Sequence, residues 1–144
     1  MAQFPALLDG SPLLEDLVLE RCDFADNLIR ISSSSASGLP LKRLTIVYCT
    51  SSSSNDMCHM DLEIEAPNLK ILNLYGFGIY GQSLLKNVLS LREVYLEIWP
   101  EDDVSVESLT VLESWLKGNY HVNVLKLSCF CIEVYGFELF PLSE

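Results

Sequence analysis

Positive charge is scarce in this 144-residue chain: 9 Lys and Arg stand against 20 Asp and Glu, a formal net charge of −11. Sequence-independent nucleic-acid binding depends on neutralising phosphates with cations, so this composition excludes it. Docking on anionic membrane surfaces is excluded on the same ground. Long apolar runs are lacking as well, and none nears the roughly 18 residues that a spanning helix needs. The first residues, Met1-Ala2-Gln3-Phe4-Pro5, offer neither the basic start nor the apolar stretch of an export signal. The expected setting is the cytoplasm or the nucleus.

Histidine is nearly absent, with 2 in the chain, and neither lies in a nucleophile motif such as G-x-S-x-G. The 5 cysteines are an odd number, which rules out complete internal pairing. Without an export signal they are expected as reduced thiols that pack like small hydrophobes. Cys58 beside His59, and Cys129 two residues from Cys131, do not supply the twice-repeated ligand pairs of a structural zinc site. Glu101-Asp102-Asp103 lacks the spaced ligands and glycine of a calcium loop. These acids read as solvated charge at the start of a helix, where they complement its dipole. No metal or cofactor is expected.

Aliphatic residues are abundant, and their order is informative. Leu14, Leu17 and Leu19 are followed by Cys22, and Leu41, Leu44 and Ile46 by Cys49. Leu69, Leu72 and Leu74 run into Gly76, while Leu91, Val94 and Leu96 precede Trp99. Val122, Leu125 and Leu127 close the series. Each unit places apolar residues at relative positions 1, 4 and 6, the pattern of a leucine-rich repeat. The middle residues 17, 44, 72, 94 and 125 are spaced by 27, 28, 22 and 31. Three units share a lead-in that contains Pro12, Pro40 or Pro67.

Between the units the chain changes character. The serine runs Ser32 to Ser35 and Ser51 to Ser54 read as loops. His59 to Glu65 alternates apolar and acidic residues, which predicts a half-exposed strand. Gln82 to Leu89 carries Leu84, Leu85, Val88 and Leu89 at helical spacing. Val104 to Lys117 predicts a second helix, ended by Gly118-Asn119.

The whole, residues 1–144, reads as a single α/β domain of about five repeats. Its fold class is a leucine-rich-repeat solenoid, with short parallel strands on the concave side and irregular segments and short helices on the convex side. With side chains alternating along each strand, the residues between the leucines face outward on the concave side. The candidate protein-binding residues there are Arg43, Thr45, Asn73, Tyr75, Glu93, Tyr95, Glu97 and Lys126. Tyr75 and Tyr95 are expected side by side on adjacent strands, and tyrosine is a favoured interface anchor.

Ser11-Pro12-Leu13-Leu14-Glu15-Asp16-Leu17-Val18-Leu19, Glu65-Ala66-Pro67-Asn68-Leu69-Lys70-Ile71-Leu72-Asn73-Leu74 and the stretch from Val104 to Val134 carry a resemblance. The chain resembles the leucine-rich-repeat portion of plant F-box/LRR proteins, particularly the F-box/FBD/LRR group, over roughly residues 5 to 141. Where that group usually has a cysteine before Pro-Leu-Leu-Glu, this chain has Ser11. The resemblance implies an adaptor of a ubiquitin ligase, in which an F-box binds the ligase scaffold and the repeats bind a protein substrate. The repeats are expected here without the F-box, as a piece of a longer array. Scaffold binding is therefore expected only where a longer parent supplies that segment.

An alternative comes from Gly76-Phe77-Gly78-Ile79-Tyr80-Gly81, which matches G-x-G-x-x-G between an expected strand and an expected helix. On that reading the glycines and the helix start would hold a pyrophosphate, and Glu97 would take a ribose hydroxyl of a dinucleotide. The competing reading is a turn whose glycine supplies φ > 0.

Overall fold

The computed structural model describes residues 4–24, 28–32, 38–51, 61–77, 83–86, 88–98 and 122–127. After a short helix α1 (Phe4–Asp9), the described elements are all strands. They are β1 (Asp16–Glu20), β2 (Asp23–Phe24), β3 (Leu28–Ile31), β4 (Arg43–Val47) and β5 (Thr50–Ser51). β6 (Asp61–Glu65), β7 (Ile71–Phe77), β8 (Ser83–Lys86), β9 (Glu93–Ile98) and β10 (Val124–Leu127) follow.

The strands form three parallel sheets, ordered β1-β4-β7-β9-β10, β2-β5 and β3-β6-β8. In the five-stranded sheet the middle residues of the sequence units become direct partners: Leu17 with Leu44, Leu44 with Leu72, Leu72 with Val94, and Val94 with Leu125. Register survives the unequal spacings because the connecting segments absorb the difference. A one-residue slip would turn each leucine row outward, and burial forbids it.

Turns fix where the strands begin. Leu14 N–H bonds Ser11 C=O at 3.1 Å and Leu69 N–H bonds Ala66 C=O at 3.1 Å, closing turns with Pro12 and Pro67 in the second position. Proline's fixed φ suits that position, which is why the lead-in contains it. Leu91 N–H bonds Val88 C=O in the same way at 3.1 Å, with Leu89 and Ser90 between.

Leu44, Ile46, Leu72, Leu74 and Leu96 of the five-stranded sheet and Ile29, Ile31, Leu62 and Ile64 of the three-stranded sheet are buried in one cluster. Their alternate neighbours Arg43, Arg30 and Glu65 are exposed. Leu8 of α1 joins the cluster, while Leu7 remains 56% exposed. Leu125 on the last strand is 43% exposed.

Two expectations need correction. Gln82 to Leu89 is not a helix: Ser83–Lys86 is a strand paired in parallel with β6, Val88 is buried and Leu89 is 76% exposed. The strand edge of β6 satisfies the backbone of four residues at once, whereas a helix this short must carry the cost of its own nucleation. The returning side is thus strand-built here, where short helices are expected. Ser51, read as loop, ends β5. The half-exposed strand in His59 to Glu65 is found as β6. The expected helix over 104–117, the acidic run at 101–103, Cys58 with His59, and Cys129 with Cys131 lie outside the described residues.

Candidate interaction face of the five-stranded sheet

All eight sequence-selected residues fall on β4, β7, β9 and β10, at positions that alternate with the buried rows. In register, Thr45 lies beside Asn73, Asn73 beside Tyr95, Tyr95 beside Lys126, and Tyr75 beside Glu97. Tyr75 and Tyr95 are therefore diagonal neighbours, a separation that aromatic side chains span. Their ring centroids are 4.7 Å apart and tilted by 32°. This offset, tilted contact suits two quadrupoles better than a face-to-face stack.

The polar groups around this pair are tied to one another from strand to strand. Asn73 Nδ2 donates to Thr45 Oγ1 at 3.3 Å. Lys126 Nζ donates to Glu93 Oε1 at 2.6 Å, and Glu93 holds the Lys126 ammonium above its ordinary pKa. Arg43 lies 3.6 Å from a carboxylate oxygen of Asp16. The two ion pairs are exposed and screened by solvent, so they dress the face more than they stabilise it. Val18 and Val124, 57% and 41% exposed, add apolar area at its two flanks.

Lys42, Lys70 and Arg92 were not among the selected residues, yet they form a row along the leading ends of β4, β7 and β9. Each immediately precedes its strand and is exposed. Lys70 N–H bonds Lys42 C=O at 2.8 Å, and Arg92 N–H bonds Lys70 C=O at 2.8 Å. The sequence signal was a base directly after the first leucine of three successive units: Leu41-Lys42, Leu69-Lys70 and Leu91-Arg92.

The glycine motif looks different in place. Gly76 has φ +65° and ends the regular part of β7, where the pairing with β9 is irregular between Tyr75 and Phe77. Arg21 and Tyr48, at the equivalent points after β1 and β4, also have positive φ, 52° and 49°. The conformation thus belongs to the end of each of these three strands, and glycine relieves it at one of them. The helix that a dinucleotide fingerprint requires after the glycines is replaced by the strand β8. Gly78 and Gly81 lie outside the described residues.

Among the described residues, no group of three or more His, Cys, Asp or Glu side chains is placed to hold a metal ion. No helix among them is long and apolar enough to cross a membrane. Cys22 and Cys49 are free thiols, and burial pushes the Cys49 thiol up to about 11. Comparison with known protein families, curated proteins and solved structures found no match to this chain.

Proposed function

We propose that this chain is a non-enzymatic protein-recognition module, a leucine-rich-repeat solenoid whose five-stranded sheet forms the concave, partner-binding side. The observation that supports it best is the Tyr75–Tyr95 pair, rings 4.7 Å apart on the outward face of a parallel sheet with matched leucine rows beneath. Aromatic anchors supply large contact area at low entropic cost. The self-paired charges around them form the polar rim of such an interface.

By its resemblance to F-box/LRR adaptors, the captured molecule is a protein substrate, in the cytoplasm or the nucleus. A ubiquitin-ligase scaffold is reached only through an F-box on a longer parent. Arg43, Thr45, Asn73, Glu93, Glu97 and Lys126 are the contact residues around the two anchors.

The test is quantitative affinity capture from lysate of the source cells with the unchanged chain and with Tyr75→Ala plus Tyr95→Ala. The reading expects specific partners to be lost from the double variant. Retention of every captured protein would overturn it.

A further inference from the structure

We propose that the captured segment is a basic, extended stretch of a protein partner that lies across the strands on the row Glu20, Val47, Tyr75 and Glu97, with one cationic side chain at each end of the row. This inference rests on the protein-recognition reading and names the chemistry of its partner.

Register sets the row. Glu20 pairs with Val47, Val47 with Tyr75, and Tyr75 with Glu97. Each directly follows a buried residue: Leu19, Ile46, Leu74 or Leu96. By the alternation of a strand, all four therefore stand on the outward face that carries the tyrosine pair. Glu20 is exposed, and Val47, Tyr75 and Glu97 are half-buried. Three strand spacings of about 4.8 Å put the two carboxylate positions about 14 Å apart, with Val47 and Tyr75 between them.

Charge on this face is unbalanced. Its described strand residues include four acids, Asp16, Glu20, Glu93 and Glu97, and two bases, Arg43 and Lys126. Both bases are engaged, Arg43 with Asp16 at 3.6 Å and Lys126 with Glu93 at 2.6 Å. Glu20 has no ion pair among the described residues, not even with neighbouring Arg21. Glu97 has an interaction of its own, but a carboxylate accepts from more than one donor. The surplus is thus negative and sits at the two ends of an apolar pair. The net charge of −11 draws a basic partner from farther away. Lys42, Lys70 and Arg92 each precede a member of the row by five residues, about 16 Å along the strand. That exceeds the screening length at physiological salt, so they oppose a cation there only weakly.

An extended segment matches the row in length and in side. Its residues i, i+2 and i+4 share one face and cover about 13 Å. Cations at i and i+4 meet Glu20 and Glu97, while an apolar residue at i+2 rests on Val47 and Tyr75. The apolar stems of lysine and arginine add contact, and a cation beside the tyrosine rings gains from their negative faces. An acidic segment would meet like charge at both ends.

Labelled peptides of about twelve residues test this by fluorescence anisotropy, read as ratios of dissociation constants. The first carries arginine, serine, leucine, serine and arginine in that order within a glycine-serine background. The second has glutamine in place of both arginines. The first is expected to bind the unchanged chain about tenfold more tightly than the second. Glu20→Gln plus Glu97→Gln is expected to abolish that preference while the thermal transition stays in place. Asp23→Asn plus Glu65→Gln removes as much charge at exposed acids elsewhere and is expected to keep the preference. Equal binding of the two peptides, binding of neither, or an equal loss in both charge variants would overturn the inference. The same measurement on Tyr75→Ala plus Tyr95→Ala separates the two readings. If both peptides bind equally and the tyrosine variant loses both, the recognition face stands and only the basic specificity falls.

Discussion

The ring of Tyr48 fills the space that a side chain on Gly76 would need. Gly76 also has φ +65°, where a Cβ is strained whatever its surroundings. Gly76→Ala should therefore destabilise the chain by about 1–3 kcal/mol. Adding Tyr48→Ala should remove the clash and recover part of that loss, leaving the backbone strain. Denaturant unfolding of the single and double variants measures both. An unaltered midpoint for Gly76→Ala would contradict the placement.

Leu72 is fully buried between Leu44 and Val94, whereas Leu125 on the last strand is 43% exposed. Leu72→Ala should cost about 2–5 kcal/mol, the range for cavities in packed cores. Leu125→Ala should cost clearly less. Urea midpoints at constant slope decide the order, and a larger loss at Leu125 would mean that the described burial is wrong.

Cys49 is buried, and its thiol sits against the carbonyl of Leu19 at 3.5 Å. Burial raises its pKa from 9.0 to about 11. The folded state therefore keeps the proton through a range in which the unfolded chain gives it up. This contribution to stability is whole below pH 9 and is lost as the pH rises towards 11. The expected slope between those values is on the order of 1.4 kcal/mol per pH unit. Comparing thermal unfolding of the unchanged chain and Cys49→Ala from pH 8 to 10.5 isolates the effect from other titrating groups. The difference between them should shrink as pH rises, and parallel curves would contradict the assignment.

The Lys126–Glu93 pair is short, at 2.6 Å, but exposed. Lys126→Ala should leave the thermal midpoint almost unchanged, the more so at high salt. A circular-dichroism melt checks this. A large loss would show that the face holds the fold together, and binding defects of its variants would then no longer report on recognition.

The five-stranded sheet was legible because its aliphatic residues recur in a column, and only one register turns that column towards the core. Tyr75 and Tyr95 were legible for the same reason: a known register fixes which residues alternate outward. Of the second and third sheets, only β6 was. Leu84, Leu85, Val88 and Leu89 fit a helical face, and so short an apolar run does not distinguish helix from strand. What decides is the edge of β6, a partner distant in sequence. Positive φ at Arg21 and Tyr48 was equally hidden, because neither residue type announces it as Gly76 does. The basic row at Lys70 and Arg92 was present in the sequence but fell outside the alternation that selected the face.

Photo-crosslinking tests the central claim most directly. A benzophenone side chain at Asn73, between the tyrosine-bearing positions, samples the proposed face, and one at Arg30 samples the outer side of the three-stranded sheet. With captured partner present, position 73 should yield a covalent adduct and position 30 none. Adducts formed from position 30 and absent from position 73 would place recognition on the opposite side of the molecule and contradict the account.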